Sequence, residues 1–487
     1  MLIPMAVSCG ATAQGRDSTE TSNETKTGSN DSTETQKEVE TKTIYEAHYP
    51  AGTDFNKGEF RILTWDQSNS TWYDCDFSAE TYTGDTVNDA AYARMKQVEE
   101  ELNCVIVPIP DASSASVEQK LATEVTSGGK SYDAAVVTAR RAFNLLAQAG
   151  HLVNFNTIEN FEIDQPWWDQ DARSALSMGG KLYTMAGDIS ILYRKCLRVY
   201  YFNKAMHRNA GLENFYDLVE NKEWTIEKMV EAALQVSEDA DGNGIYDEND
   251  VYGLIATVDT ITTGLIGAGI RYTEKDEDDY PELCFYSDDT LDTWDSYVKI
   301  LFDKQSCVMN NASDRMYDTT KMFQMDQVLM SNCELHNLAN FRKMETDFGI
   351  LPTPMFDEFQ DNYLSTVNPV VCGLIVIPVT NKELSKTAIV LDALGAASKN
   401  ELTPAYYDVY LQGQTARDEE STVCLDIIFN NVEWDIGNIY NWGNIATFMQ
   451  TLCKSYSNNF ASTYAALEGN AQTELEKTIS AFEKLDD

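Results

Sequence analysis

Phe60-Arg-Ile-Leu-Thr-Trp65 opens the stretch of sequence that decides the fold. This apolar run predicts a buried strand, and Thr86 to Leu102, which follows it, carries apolar residues at helical spacing. The pattern then repeats, with a strand at Cys104-Val-Ile-Val107, a helix from Val117 to Thr126 and a strand at Tyr132-Asp-Ala-Ala-Val-Val137. Alternating strands and helices favour an open parallel α/β sheet.

Two pairs of residues follow the strands of this predicted sheet. Trp65 and Asp66 stand at the end of the first strand, and Arg140 and Arg141 come shortly after the third. In open α/β sheets, ligands bind in the crevice beyond the carboxyl ends of the strands. We therefore expect these four residues to contact a ligand.

A second α/β pattern follows along the chain. Strands are predicted at Lys181-Leu-Tyr-Thr-Met185, Arg198-Val-Tyr-Tyr-Phe202 and Leu374-Ile-Val-Ile-Pro378. Helices are predicted from Lys228 to Val236 with Thr225 as N-cap, from Leu384 to Ser398, from Leu402 to Leu411 and from Ala446 to Ser455. The sequence thus predicts two α/β lobes and a helical C-terminal third.

The composition is that of a large, strongly acidic globular protein. Its 487 residues are 43% hydrophobic, and 78 acidic against 36 basic residues give a formal charge of −42. Such a charge repels nucleic acid and anionic lipid surfaces, so we expect no nucleic-acid partner. Acidic surfaces of this kind also keep proteins soluble.

The sequence carries few signatures of chemistry. Its ten cysteines form no CxxC pair, its four histidines show no zinc spacing, and no GxSxG, GxxxxGK[ST] or HExxH motif is present. We therefore expect a protein that is not an enzyme. A glycosidase or lyase stays open as an alternative, because the geometry of a catalytic carboxylate pair is spatial and not sequential. A glycan adhesin without transport is a further alternative.

The first fifty residues predict a membrane anchor and a tether. Ala6-Val7-Ser8-Cys9 is similar to a lipobox, which makes residues 1–9 the end of a lipoprotein signal and Cys9 the site of lipidation. Residues 10–52 are mostly polar and predict a disordered tether. No run of eighteen apolar residues occurs later in the sequence, so the sequence predicts no membrane-spanning helix there. We expect a cell-surface lipoprotein held to the membrane by its lipid alone.

The order of the elements and several phrases resemble a known family. The phrases are Gly179-Gly-Lys-Leu-Tyr183, Val199-Tyr-Tyr-Phe-Asn-Lys204, Asp347-Phe-Gly-Ile-Leu-Pro352 and Ile375-Val-Ile-Pro378. From about residue 55 onward, the chain is similar to bacterial extracellular solute-binding proteins of ABC importers, which include maltodextrin-binding and alginate-binding proteins. The resemblance implies an α/β, two-lobed periplasmic-binding-protein-like fold with a ligand cleft between lobes that crossing strands join.

The same resemblance implies domain boundaries and a function. Lobe 1 would comprise residues 53–185 and 365–400, and lobe 2 residues 186–364 and 401–487, with crossings near Thr184 to Gly187 and near Leu364 to Cys372. The implied protein is a monomeric receptor that closes on a small solute, most simply an oligosaccharide, and delivers it to the permease subunits of an ABC importer.

Two further ligand contacts are implied by the resemblance. Asp188 would be an acidic ligand group at the place where the chain crosses between the lobes. Trp442 would be a stacking aromatic on a turn of the C-terminal region. Trp167 and Trp168, in contrast, are predicted to pack inside a lobe.

One acidic loop predicts a calcium site of EF-hand type. Asp239, Asp241, Asn243, Asp247 and Asp250 stand at loop positions 1, 3, 5, 9 and 12, which carry oxygen ligands in that motif. Gly244 stands at position 6, and Ile245 offers its backbone carbonyl at position 7. Asp250 replaces the usual glutamate. We expect a Ca²⁺ site with a structural role rather than a calcium sensor, because the loop has no partner loop.

Overall fold

The computed structural model describes residues 43–65, 76–310, 317–341, 344–407 and 419–485. Thirteen strands occur in these ranges: β1 Gly58–Trp65, β2 Cys104–Asp111, β3 Ala134–Thr138, β4 Arg198–Asn203, β5 Tyr252–Thr257, β6 Thr273–Lys275, β7 Pro281–Leu283, β8 Cys307–Asn310, β9 Val328–Glu334, β10 Phe348–Leu351, β11 Ser365–Thr366, β12 Gly373–Val376 and β13 Val432–Glu433. Cys9 and Asp66 lie outside the described residues.

The helices of the described ranges follow in chain order. They are α1 Thr86–Leu102, α2 Ser114–Ser127, α3 Ala139–Arg141, α4 Gln170–Leu176, α5 Leu192–Lys195, α6 Lys204–Asn209, α7 Phe215–Glu220, α8 Ile226–Val236, α9 Thr260–Gly267, α10 Asp288–Leu301, α11 Thr319–Gln324, α12 Leu338–Phe341, α13 Leu384–Asn400, α14 Leu402–Pro404, α15 Glu419–Asn430, α16 Ile436–Tyr440, α17 Phe448–Ser455 and α18 Phe460–Phe482. In this part of the chain, no helix combines the length and apolar character that crossing a membrane requires.

Local sequence fixes the ends of the first helices. The Asp85 side chain caps α1 by accepting hydrogen bonds from the backbone N–H groups of Val87 and Asn88. Ser113 and Ser116 form a capping box at the start of α2. Gly128 ends α2 in the left-handed conformation, with φ of 72°. Each of these capping residues lies at the end of its own helix, so the sequence predicts both helices well.

The first sheet has the strand order β12-β3-β1-β2. Strand β1 pairs in parallel with β2 and β3, which confirms the predicted parallel arrangement for these three strands. Strand β12 departs from it, because it pairs antiparallel with β3, with Ile375 opposite Val136. The chain enters β12 directly from the crossing that returns from the second sheet.

The second sheet has the order β10-β4-β9-β5-β8 and is also mixed. Strand β5 runs parallel to β8 and β9, whereas β4 runs antiparallel to both of its neighbours. The start of β4 therefore lies at the same sheet edge as the ends of β5, β8 and β9. Arg198, the first residue of β4, pairs with Glu334, the last residue of β9.

The chain passes twice between the two sheets in segments that touch each other. The first passage leads from Met185, which bridges Ile375 beside the first sheet, to Arg198 in the second. The return passage leads from Leu351 to Gly373. Leu197 and Val367 form an antiparallel bridge where the passages meet. The lobe boundaries given above stay a prediction.

Two predicted elements differ in the structure. The strand predicted at Lys181 to Met185 is wrong: only isolated bridges form at its two ends, and the backbone N–H of Leu182 donates to the side chain of Asn154. Helix α14 covers only the beginning of the helix predicted from Leu402 to Leu411, and residues 408–411 lie outside the described ranges.

A buried carboxylate anchors the predicted tryptophan pair. Trp167 and Trp168 are 1% and 2% exposed, which confirms their packing role. Both indole N–H groups donate to Oδ1 of Asp392 in α13, at 3.2 and 2.9 Å. The backbone N–H of Glu162 donates to Oδ2 at 2.9 Å. Burial nevertheless outweighs these hydrogen bonds and raises the pKa of Asp392 to about 7.

The raised pKa of Asp392 predicts a specific pH dependence of stability. Because the native carboxyl holds its proton more tightly than the unfolded one, stability is gained at low pH and lost as pH rises toward 7. Asp392→Asn does not titrate and serves as the reference. We subtract the free energy of unfolding of the variant from that of the wild type. This difference should fall as the pH rises from 4 to 7, by at most about 1.4 kcal/mol per pH unit, and should stay constant at higher pH. Urea unfolding at each pH measures it, and a constant difference would contradict the assignment.

Candidate functional site

Charged residues from both sheets meet beside the return passage. Arg140 follows β3 in the first sheet, whereas Arg198, Asp259 and Glu334 lie at the facing edge of the second. Arg140, Arg198 and Asp259 line a small cavity of about 30 Å³, close to the volume of one water molecule. The rest of its lining is Thr262, Thr263, Thr366, Val367, Asn368, Pro369, Val370, Asn438 and Gln450. The charged site thus lies beyond the ends of parallel strands, which is where the sequence predicts a ligand cleft.

A buried ion pair forms the floor of this site. Nη1 of Arg198 lies 2.8 Å from Oε1 of Glu334, and the two side chains are 3% and 11% exposed. Burial disfavours the charge of Arg198, but Glu334 and Asp259 outweigh it and raise the pKa of the guanidinium. Burial likewise disfavours the charge of Glu334, but Arg198 outweighs it and lowers the pKa of the carboxyl. Both groups are therefore charged at neutral pH.

The return passage contacts both sides of the site. Nδ2 of Asn368 donates to Oε1 of Glu334 at 3.3 Å, and its backbone N–H donates to the carbonyl of Cys196 at 3.2 Å. One residue later, the carbonyl of Pro369 accepts the backbone N–H of Arg140 at 3.0 Å. Residues 368–369 therefore connect the ion pair of the second sheet with the arginine of the first.

Arg140 and Asp259 face this cavity with different partners. Arg140 donates from Nε and Nη2 to the carbonyls of Ile439 and Asn438, at 3.2 and 3.0 Å. Burial lowers the pKa of its guanidinium, although Asp259 favours the charged form. Oδ1 of Asp259 accepts from Gln450 at 2.7 Å, and its side chain is 38% exposed. Asp259 is thus the most accessible charge of this ion-pair cluster, which also comprises Arg198 and Glu334.

Three of the predicted ligand residues have packing or pairing roles in the structure. Trp65 ends β1 with 1% of its surface exposed. Arg141 points to α2, where its Nη1 lies 2.8 Å from Oε2 of Glu118. Trp442 is 3% exposed, because its ring stacks on Tyr440 at 4.6 Å and its N–H donates to Thr478. The expected open stacking face of Trp442 is therefore corrected to a buried one.

Asp188 is also buried, at 2% exposure. Its Oδ2 accepts from Lys399 at 3.0 Å, and its Oδ1 accepts from Thr403 at 2.8 Å and from Arg194 at 3.3 Å. With both oxygens engaged by protein donors, Asp188 holds the first passage to α13 and α14. The structure corrects its expected role from ligand contact to structural anchor. Of the predicted ligand residues that the structure describes, which exclude Asp66, Arg140 is the one that lines the interlobe cavity.

Sequence reasoning missed Arg198 and Asp259. A charged residue at the start of the otherwise apolar run Arg198-Val-Tyr-Tyr-Phe202 was a usable signal, because a buried strand does not hold a charge without a partner. Asp259 follows the end of β5 by two residues, the same kind of position that indicates Arg140 after β3.

The acidic loop is separate from this cavity and has the geometry of a cation site. Carboxylate oxygens of Asp239, Asp241 and Asp250 lie within 4.8 Å of one another. Asp250 is fully buried and accepts the backbone N–H groups of Ala240 and Asp247, at 2.9 and 2.7 Å. Three carboxylates this close repel one another unless a cation offsets their charge. The donor set is therefore suited to Ca²⁺.

The other predicted ligands of this loop make internal hydrogen bonds. Nδ2 of Asn243 donates to Asp241 at 2.8 Å, while its Oδ1 accepts the backbone N–H of Ile245 at 2.6 Å. The carboxylate of Asp247 accepts from Asn249. Gly244, with φ of 78°, makes the turn that the motif requires. The structure thus brings together the carboxylates of Asp239, Asp241 and Asp250, and ion binding by these three and by Asn243, Ile245 and Asp247 stays a prediction.

The chain is similar to known proteins in structure but not in sequence. No protein-family model matches the chain, and no curated protein is similar to it in sequence. UgpB from Mycobacterium tuberculosis, solved in complex with glycerophosphocholine, has 13% identity and a TM-score of 0.58, over 87% of this chain and 100% of UgpB. The chain has the solute-binding-protein fold.

Two further solved structures support this assignment. The sugar transporter from Rhizobium etli, solved in an open conformation, has 14% identity and a TM-score of 0.56, over 88% of this chain and 100% of that one. An ABC substrate-binding protein from Listeria monocytogenes, in complex with cycloalternan, has 14% identity and a TM-score of 0.52, over 88% and 98%. The predicted fold class is therefore confirmed, and the charged cavity lies between the two sheets of a solute-binding fold.

Proposed function

We propose that this chain is the solute-binding receptor of an ABC importer, and that it captures an oligosaccharide between its two lobes without chemical change. The observation that carries the proposal is the cavity at the facing strand ends, where Arg140 of one sheet and Asp259 of the other approach the same space. Solved proteins with this fold include receptors in complex with cycloalternan and with maltotetraose.

Hinge motion accounts for entry of the solute. The cavity of about 30 Å³ is far smaller than the usual ligand pocket of roughly 300–1,000 Å³, so the sheets must separate before a saccharide enters. Between residues 196–197 and 367–368 the backbone contacts are the bridge of Leu197 with Val367 and one hydrogen bond from Asn368 to Cys196, so such a motion costs few hydrogen bonds there. Contacts from both lobes then favour closure, and the permease subunits would recognise the closed form.

Arg140 provides the test of this site. We expect calorimetric titration with neutral and acidic oligosaccharides to show saturable binding by the wild type, with no product by chromatography. Arg140→Met should weaken binding at least tenfold, because a desolvated donor to the solute is lost. Arg208→Met removes an exposed arginine of α6 and is the matched control. Cleaved glycan would favour the enzyme alternative, and equal affinity of the three proteins would contradict the site.

We further propose that a Ca²⁺ ion stabilises the loop from Asp239 to Asp250. Metal-free protein should gain a few degrees in melting temperature with 1 mM Ca²⁺, because a ligand that binds only the native state stabilises it. Asp241→Asn should remove this gain. Asp289→Asn, on the exposed side of α10, carries the same charge change and should keep it. If Ca²⁺ and chelator give the wild type the same melting temperature, the loop binds no calcium.

Cys9 is the proposed site of lipid attachment, followed by a polar tether that ends before the predicted residue 52, because the backbone N–H groups of Tyr45 and His48 already donate to Asn400 and Glu162 of the folded body. Expressed in a Gram-positive host with a complete signal, the wild type should fractionate with the membrane. Cys9→Ser should appear in the medium, because a protein without its acyl chains loses the anchor. Release of both proteins to the same extent would exclude lipidation at Cys9.

A further inference from the structure

The three charged side chains that line the interlobe cavity, Arg140, Arg198 and Asp259, are not equally available to a solute. Arg198 and Glu334 neutralise each other at 2.8 Å. Nη2 of Arg198 is also occupied, because it donates to Oγ1 of Thr257 at 2.6 Å and to the carbonyl of Asn332 at 3.2 Å. The donors of Arg198 thus point into the second sheet, so that this residue does not supply a second positive charge for an anionic solute.

Arg140 is positively charged, and no carboxylate among the described residues forms an ion pair with it. Both hydrogen bonds of its guanidinium go to main-chain carbonyls, which offset its desolvation only in part. The carboxylate that acts on it electrostatically is that of Asp259. Arg140 is consequently a positive group that reaches the cavity from the first sheet.

Asp259 supplies the opposite charge from the second sheet. Its Oδ2 lies 3.9 Å from Nη1 of Arg198, at the outer limit of an ion pair, and its Oδ1 accepts from the neutral amide of Gln450. More than a third of its side chain is exposed. Arg140 and Asp259 therefore present one donor and one acceptor of opposite charge, while Glu334 neutralises the third charged lining residue, Arg198.

We propose that Arg140 and Asp259 act as a charge-balanced pair that selects an uncharged polyhydroxylated solute, and that Asp259 excludes anionic ones. A hydroxyl group both donates and accepts, so that neighbouring hydroxyls bind the two residues together. A carboxylate or phosphate gains an interaction with Arg140 but is repelled by the like charge of Asp259 in the same cavity. The charge of −42 on the whole chain opposes anions as well. This inference rests on the proposed function and names its substrate class.

The test compares neutral and anionic saccharides by titration calorimetry. The neutral probes are maltotriose, xylotriose and galactotriose, and the anionic probes are trigalacturonate and glucose 6-phosphate. We expect the wild type to bind at least one neutral probe and to bind every anionic probe at least tenfold more weakly. Asp259→Asn keeps the shape of the side chain and leaves Arg140 uncompensated. The ratio of anionic to neutral affinity should then rise about tenfold.

Two further variants make the outcome specific. Arg140→Gln leaves Asp259 uncompensated and should shift preference toward the cationic probe chitotriosan, the trimer of glucosamine. Asp289→Asn makes the same charge change as Asp259→Asn on an exposed surface and should leave all ratios unchanged, and thermal melting verifies that each variant folds. A wild type that prefers an anionic probe, or an Asp259→Asn ratio equal to that of the wild type, overturns the inference but not the proposed function. A wild type that binds no saccharide contradicts both.

Discussion

The ion pair between Arg198 and Glu334 is the interaction around which the charged site beside the return passage is built. It joins the first residue of β4 to the last residue of β9 and sets the register of these antiparallel strands. Asn368, in the return passage, donates a hydrogen bond to the same carboxylate. Burying two charges is costly, so such a pair is better evidence for a fixed geometry than for net stability. Loss of one partner, in contrast, leaves an uncompensated buried charge, which costs several kcal/mol.

This geometry explains why the charged cavity lies at the passages between the sheets. Each sheet is built from its own strands, and the passages touch through the bridge between Leu197 and Val367. A change in the angle between the sheets therefore disturbs few backbone hydrogen bonds. The first passage is held more firmly on the side of the first sheet, where Asp188 accepts from Lys399, Thr403 and Arg194. Bending is consequently expected nearer to Cys196 than to Asp188.

The sequence predicts the local elements better than the contacts between them. The predicted boundaries of α1 agree with the structure because Asp85 and Asn103 cap it within the same segment. Strand β12 is found where it was expected, but its antiparallel pairing with β3 depends on a chain reversal far away in sequence. The Lys181 to Met185 segment is apolar enough for a strand, yet its hydrogen bonds go to a side chain and to isolated bridges.

Prediction of the site shows the same limit. Arg140 was found from its position after a strand, but its neighbour Arg141, with the same position and chemistry, pairs with Glu118 of α2. Periodicity does not resolve which of two adjacent side chains faces the cavity. The family resemblance implies a stacking aromatic at Trp442, whereas the structure shows Tyr440 stacked against its ring. Asp259 and Arg140 are far apart in sequence, so their shared cavity follows from tertiary structure alone.

The acidic loop and the interlobe cavity lie at opposite ends of the same strand. Glu238 and Val251 close the base of the loop by an antiparallel bridge, and β5 begins at the next residue, Tyr252. Asp259 follows the other end of β5, so that about six residues of extended chain, or roughly 20 Å, separate the two regions. Strand β5 is an internal strand with parallel neighbours on both sides, so its backbone hydrogen bonds hold it in place along its length. An ion in the loop would therefore stabilise the start of β5 and leave the affinity for solute nearly unchanged.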